Sequence, residues 1–185
     1  MLKNLKYFKG ETRVMCAAVS VIISEQNDII LIRRAERIGD PWSGHIGFPG
    51  GRVEDSDDNN PFKTAIRETK EEVGIELNEK NFIQPLTPLT PEKDFKGFQL
   101  ELWPFLFEAS IENQIKLDKN EVQNIVRLPM GKLIDEFEIR EKSFQLFDGR
   151  EMILPSFTLD SGEIIWGLTL MILKEIKNLD LRKIK

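Results

Sequence analysis

Arg67, Glu68, Glu71 and Glu72 stand within one short stretch of this 185-residue chain and are the residues best suited to chemistry. Glu68 lies three residues before Glu71 and four before Glu72. On a helix their carboxylates share one edge, away from a stripe of Phe62, Ala65, Ile66 and Val73. Like charges at that spacing repel, at a cost of about a few tenths of a kcal/mol per pair. A divalent cation turns that cost into a site, and an all-oxygen donor set suits Mg²⁺ or Mn²⁺, which also bind phosphate oxygens. An acidic run of this kind also serves commonly as a solvated helix face. The upstream pair Gly50-Gly51 is what favours the site, because it lets backbone groups approach a ligand closely and is joined to the helix by a polar loop.

The elements around this cluster follow from local signals. Asn60 is a good N-cap, Pro61 suits a first helical position and Gly74 a stop, so a helix is expected over 61–73. Residues 14–24 are β-branched and apolar enough for a buried strand, and the turn residues 26–28 lead to a second run at 29–32, which reads as a hairpin. Residues 34–47 hold Gly39, Asp40, Pro41, Gly44 and Gly47 and read as a loop, with a tight turn at 48–51. Strands are expected at 81–86, 98–107 and 121–128, a short helix at 129–137, and a hairpin over 144–157 around Asp148-Gly149. Apolar spacing over 164–179 predicts an amphipathic helix. Strands and helices alternate without a regular βαβ beat, so the expected class is α+β, with a mixed sheet between helices in a single domain over 1–185.

Composition narrows the function classes. The chain is 41% hydrophobic and 31% charged, as expected of a folded protein with a sizeable core. Lys plus Arg number 26 against 31 Asp plus Glu, a formal charge of −5, so there is no basic field to hold nucleic acid. A phosphorylated substrate therefore needs local neutralisation. One cysteine, Cys16, permits neither an internal disulfide nor a cysteine-based zinc site, and reads as a buried small hydrophobe. The polar start reads as no signal peptide, and the longest apolar run near the other end is about half a membrane span. The expected location is cytoplasmic, without nucleic-acid or membrane partners.

At Arg67-Glu68-Thr69-Lys70-Glu71-Glu72-Val73-Gly74-Ile75 the chain resembles the Nudix hydrolases, whose signature ends in this pattern. Thr69 takes a usually apolar place. Gly51 opens the motif, which spans 51–75, and Asp57 stands where the family prefers a glutamate. Nine residues separate Asp57 from Arg67, against the usual seven. Whether Asp57 still reaches Arg67 as the family's loop carboxylate does is left to tertiary geometry. The resemblance implies a Nudix-like α/β/α sandwich and metal-dependent hydrolysis of a pyrophosphate linkage. It implies Glu68, Glu71 and Glu72 as metal ligands, the Gly51 carbonyl as a further ligand, and catalytic roles for Arg67 and the glutamates. The general base is either Glu68 or a carboxylate from elsewhere, with Glu121 the best outside candidate. The other reading of Glu121 is a cap on the strand that follows it. Family members are often homodimers, which makes a homodimer the expectation here.

Leu31-Ile32-Arg33-Arg34-Ala35, the turn Gly47-Phe48-Pro49-Gly50-Gly51 and Ile164-Ile165-Trp166-Gly167-Leu168-Thr169 resemble the coenzyme A pyrophosphatase branch. That implies coenzyme A, or an acyl or oxidised derivative, as substrate. ADP-ribose or another nucleoside-diphosphate-linked compound is the alternative, and a catalytically silent nucleotide-binding module the alternative of another class. Arg33, Arg34 and Arg37 either meet substrate phosphates or are surface charge. Trp42 either stacks on a base or anchors its loop. Gly50 and Gly51 line the substrate side. His45 is read as structural, since the metal route needs no histidine.

Overall fold

The computed structural model describes residues 14–40, 42–91, 99–111, 114–145 and 149–179. The expected Phe98 strand start, Pro41 of the glycine loop and Asp148 of the second hairpin lie outside the described residues, as do both ends of the expected 1–185 domain.

Strand β1 (Val14–Ser24) is central, which is why its sequence is apolar toward both faces. It pairs antiparallel with β2 (Asp28–Arg34) at Ile22 and Ile23, through a turn in which Asn27 takes φ 63°. Near its other end the same edge pairs with the short strand β4 (Gly50–Arg52), Ala18 opposite Gly51. Its second edge runs parallel to β6 (Gln99–Ala109) from Val14 to Ser24. β3 (Ile46–Gly47) and β7 (Val122–Pro129) pair antiparallel with β2, and β5 (Phe82–Pro85) with β6. The result is a mixed sheet, so β3 and β4 lie inside what reads locally as loop and turn. Their two or three residues carry no period-2 signal, and only the neighbouring strands define them.

Helix α1 (Pro61–Val73) begins as expected, with the Phe62 amide donating to Asn60 Oδ1 at 3.0 Å, and ends at Gly74 with φ 76°. It covers one sheet face, where Ala18, Ile22, Ile30 and Ile32 pack with Phe62, Ala65 and Val73. On the other face Val21, Ile23, Ile29 and Leu31 pack with Met130 and Leu133 of α2 (Met130–Asp135) and with Leu170, Leu173 and Ile176 of α3 (Gly167–Asn178). The alternation along β1 and β2 thus feeds two cores, and the expected α+β architecture with a sheet between helices is observed.

The helix expected over 164–179 starts three residues later. Residues 164–166 form β10 (Ile164–Trp166), which joins β8 (Arg140–Gln145) and β9 (Glu151–Thr158) in a second antiparallel sheet. Ile164, Ile165 and Trp166 suit a strand, and Gly167 turns the chain at φ 61° into the helix. Thr69, in the usually apolar motif place, is fully buried: its hydroxyl lies 2.8 Å from Ser20 Oγ and 2.7 Å from the Ala65 carbonyl. A polar partner on β1 explains the substitution. Cys16 is buried as expected, and burial pushes its thiol up to about 12. Among the described residues, no helix is long and apolar enough to cross a membrane.

Phe62 packs edge-on against Phe82 and Phe105 and stacks near Phe107, with centroids 5.1 to 5.8 Å away. Phe62→Ala is expected to lower the unfolding free energy by about 3–5 kcal/mol in denaturant titrations, and Ile153→Ala, on an exposed position, by less than about 0.5 kcal/mol.

Candidate active site

The site is built where α1 meets the glycine strand β4. A Cβ on Gly50 would lie 2.2 Å from the Ala18 carbonyl oxygen, and one on Gly51 would lie 2.4 Å from Glu68 Cδ. Only glycines let the strand pass between β1 and the helix carboxylates. The Gly50 amide then donates to Glu72 Oε2 at 2.8 Å. Glu72 is 2% exposed. Burial, with the charges of Glu68 and Glu121 nearby, pushes its carboxyl up to about 8, against the Gly50 amide and Arg34, which favour the charged form. Burial also raises Glu68, although Arg67 opposes it.

The three helix glutamates do not converge as the spacing suggests. Glu72 points inward rather than away from the apolar stripe, and Glu71 points outward, more than half exposed, with Oε2 2.7 Å from Arg67 Nη1. Positions 71 and 72 differ by about 100° around a helix, so their side chains leave it in different directions. The third member of the cluster comes from elsewhere: Glu121, at the entry to β7, has a carboxylate oxygen within 4.8 Å of those of Glu68 and Glu72. Arg37 ties that corner down, donating from Nε to the Asn120 carbonyl at 2.8 Å and lying 3.5 Å from Glu121 Oε1.

Asp57 reaches Arg67 despite the longer loop. A 3-10 turn, Asp55–Asp57, carries it under the helix start, where its two oxygens accept from Arg67 Nε at 2.8 Å and Nη2 at 3.0 Å. The Thr64 hydroxyl adds a bond at 2.7 Å. Burial alone would raise this carboxyl, but the Arg67 fork, Thr64 and the Glu54 amide hold it below the usual range. Asp57 in turn raises the Arg67 guanidinium, which also touches Glu68 Oε1 at 2.9 Å. Arg67 therefore orients the acidic edge of the helix.

The other arginines diverge. Arg34 pairs with Asp40 at 3.1 Å, and its charge favours the ionised form of Glu72. Arg33 turns the opposite way, into a pocket beside His45 and Trp166. Trp42 is partly exposed and packs on His45 and Trp166, 5.8 and 6.5 Å between centroids. Asp40, Phe144 and Glu163 were not singled out by sequence reasoning. Asp40 sat in plain view beside the arginines, but Phe144 and Glu163 carry no local signal, since distant elements bring them in.

This donor set fits a divalent cation: oxygens only, all within 4.8 Å of one another, two of them in carboxyls whose charge the protein leaves under-compensated. A raised Glu72 stabilises the metal-free fold below its unfolded value of 4.5, and that stabilisation is lost as pH climbs through about 8. Melting of metal-free protein is therefore expected to shift to lower Tm between about pH 5 and pH 8, with Glu72→Gln flattening the slope and Mg²⁺ restoring Tm most at the higher pH. A flat wild-type profile counts against the arrangement. Asp57→Asn should cost about 1.5–3 kcal/mol in unfolding free energy, because Arg67 retains Glu68 and Glu71.

Comparison with known proteins shows the family. The NUDIX domain family matches residues 15–148. A probable nudix hydrolase of Schizosaccharomyces pombe is 25% identical over 94% of this chain, which spans 58% of that protein's length. NudL of Yersinia pestis, an uncharacterized Nudix hydrolase, is 26% identical over 95% of this chain and 84% of its own. Among solved structures, a NUDIX hydrolase of Alicyclobacillus acidocaldarius superposes with TM-score 0.56 at 17% identity, over 89% of this chain and 91% of that one. The NUDIX domain of Shewanella oneidensis NrtR, complexed with ADP ribose, gives 0.50 at 19% identity, over 68% and 77%. Matched over most of its length and folded as these neighbours are, the chain belongs to the NUDIX domain family.

Proposed function

We propose that the chain is a divalent-metal-dependent hydrolase of a pyrophosphate linkage in a nucleoside diphosphate derivative. The gathering of Glu68, Glu72 and Glu121 at the glycine strand carries this reading. Glu68 and Glu72, with Gly51 beside them and Glu71 at the exposed rim, would hold Mg²⁺ or Mn²⁺. Such ions, when bound, neutralise the diphosphate and make water a better nucleophile near neutral pH. The remaining work falls to the chain. Glu121, more exposed than the other two and held by Arg37, is placed to accept a proton from the attacking water. Arg34 meets the phosphate oxygens, and Arg67 keeps Glu68 aligned. Packing around Glu72 keeps competing water from that carboxylate.

The substrate proposed first is coenzyme A or an acyl or oxidised derivative, supported by the resemblance of the Phe48-Pro49-Gly50-Gly51 turn and of residues 164–169 to that branch. The Shewanella oneidensis domain, seen with ADP ribose, supports testing ADP-ribose beside it.

Purified protein assayed with coenzyme A, ADP-ribose, NADH and dinucleoside polyphosphates, with and without Mn²⁺, is expected to cleave coenzyme A only with the metal. Glu72→Gln and Glu121→Gln are expected to lower kcat by roughly 10²-fold or more. Intact coenzyme A alongside cleaved ADP-ribose removes the substrate assignment and leaves the reaction class. Turnover and Mn²⁺ binding unchanged in Glu72→Gln would support the silent binding module instead.

A further inference from the structure

Ser20 and Thr69 are polar residues buried completely in the interface between β1 and α1. Ser20 stands between Ala18 and Ile22, which pack toward the helix, and Thr69 between Ala65 and Val73 on the helix's inner stripe. The Ser20 hydroxyl donates to the Ala65 carbonyl at 2.9 Å, and the Thr69 hydroxyl lies 2.8 Å from Ser20 Oγ and 2.7 Å from the same carbonyl. Two hydroxyl protons therefore serve three oxygens in a closed triangle, and neither hydroxyl is left unpaired.

Satisfying Thr69 does not require Ser20. A threonine inside a helix bonds the carbonyl four residues back by itself, and Ala65 offers that carbonyl here. What Ser20 adds is direction between two elements. The apolar contacts of Phe62, Ala65 and Val73 hold α1 on the sheet but are non-directional, so they fix its position along β1 less sharply than a buried hydrogen bond does. Among the described residues, Ser20 carries the hydrogen bonds that join α1 to the central strand. Further polar ties of α1 run to loop segments, as where the Lys116 and Asp118 amides donate to the Val73 and Glu72 carbonyls at 2.8 and 3.0 Å.

The same residue also holds the glycine turn. The Ser20 amide donates to the Pro49 carbonyl at 2.8 Å, one place beyond the pairing of Val19 with Gly50. Ser20 thus ties the chain entering β4 with its backbone and α1 with its side chain. Between those two ties lie the clearances of the acidic cluster: the Gly50 amide 2.8 Å from Glu72 Oε2, and Gly51 with no room for a Cβ beside Glu68. A slide of α1 by one residue's rise, about 1.5 Å, either presses Glu68 onto β4 or draws Glu72 off that amide.

We propose that Ser20, through its bonds to Ala65 and Thr69, is a positioning residue for the acidic cluster: it sets where α1 sits along β1, and so where Glu68 and Glu72 stand against the glycine strand. This rests on the reading of that cluster as a divalent-metal site, which binding of Mn²⁺ to the wild type tests separately.

Mn²⁺ binding is measured by the electron paramagnetic resonance signal of the free ion, at a temperature where circular dichroism shows each variant folded. Ser20→Ala, which removes both bonds to the helix, is expected to weaken Mn²⁺ binding by about tenfold. Thr69→Val leaves Ser20 bonded to Ala65 and should lose less, and Thr69→Ser, which keeps the hydroxyl, should bind within about twofold of wild type. Ile22→Val trims the same face of β1 without touching a hydroxyl, and it too should stay within about twofold. Wild-type affinity in Ser20→Ala, or an equal loss in Ile22→Val, overturns the positioning role and leaves the metal site standing. Wild type that binds no Mn²⁺ removes the metal reading and the positioning role with it. If Ser20→Ala does not fold, the two Thr69 variants decide: weaker binding in Thr69→Val than in Thr69→Ser upholds the role, and equal binding overturns it.

Discussion

The close approach of the Gly50-Gly51 strand to both β1 and α1 is the constraint on which the site depends. There is no room for a side chain at either glycine: one would enter the Ala18 carbonyl and the other the Glu68 carboxylate. In that space the Gly50 amide reaches Glu72, and a carboxylate is held nearly sealed from solvent with one hydrogen bond and, among the described residues, no cation paired to it. Such a group is expensive to bury charged, which is why its carboxyl is pushed up to about 8. The same cost makes the position responsive to a cation. The helix packs on the sheet through Phe62, Ala65 and Val73, and that packing keeps the carboxylate at its depth.

Arg67 divides the acidic edge into two parts with different fates. Its forked bond to Asp57 is buried and well directed, and its remaining donors take up Glu71 and share Glu68. The neutralised side therefore faces the loop, and the under-compensated side faces Glu121. The net charge of −5 is thus a poor guide to what the molecule attracts. Three of its negative groups stand where bound cations would reverse the local sign, opposite Arg34. The chain's acidity argues against nucleic acid without arguing against a small diphosphate.

The two faces of the sheet receive different arginines because side chains along β2 alternate between them. Even-numbered residues Ile30 and Ile32 pack toward α1, odd-numbered Ile29 and Leu31 toward α3, and the adjacent Arg34 and Arg33 continue this division. The charge of Arg34 favours ionised Glu72, and Arg33 lines the aromatic cavity built with β10. A strand in place of the first helical turn at 164–166 is what brings Trp166 to that cavity: Ile164 and Ile165 pair with β9, and Gly167 turns the chain only afterwards.

Much of this was legible in sequence wherever the signal was local. Asn60, Pro61 and Gly74 bound α1 by capping chemistry, the apolar runs of β1 and β2 declared strands buried on both faces, and the spacing of Arg67, Glu68 and Glu72 with the upstream glycines marked the candidate site. Side-chain direction was not legible to the same degree. Spacing of three and four places Glu71 and Glu72 equally near Glu68, and only the sheet on one side of α1 sends Glu72 inward and leaves Glu71 to solvent and Arg67. Asp57 could be named from the sequence, but its bond to Arg67 needed the 3-10 turn that absorbs the longer loop. Glu121, Phe144 and Glu163 are brought to their places by β7, β8 and the approach to β10, across separations of tens of residues that no local pattern encodes. The sequence by itself determined which residues form the elements and which acids are available, because capping and periodicity act over a few residues. The tertiary structure alone decided which of those acids share a site, because burial and convergence depend on what packs against them from far along the chain.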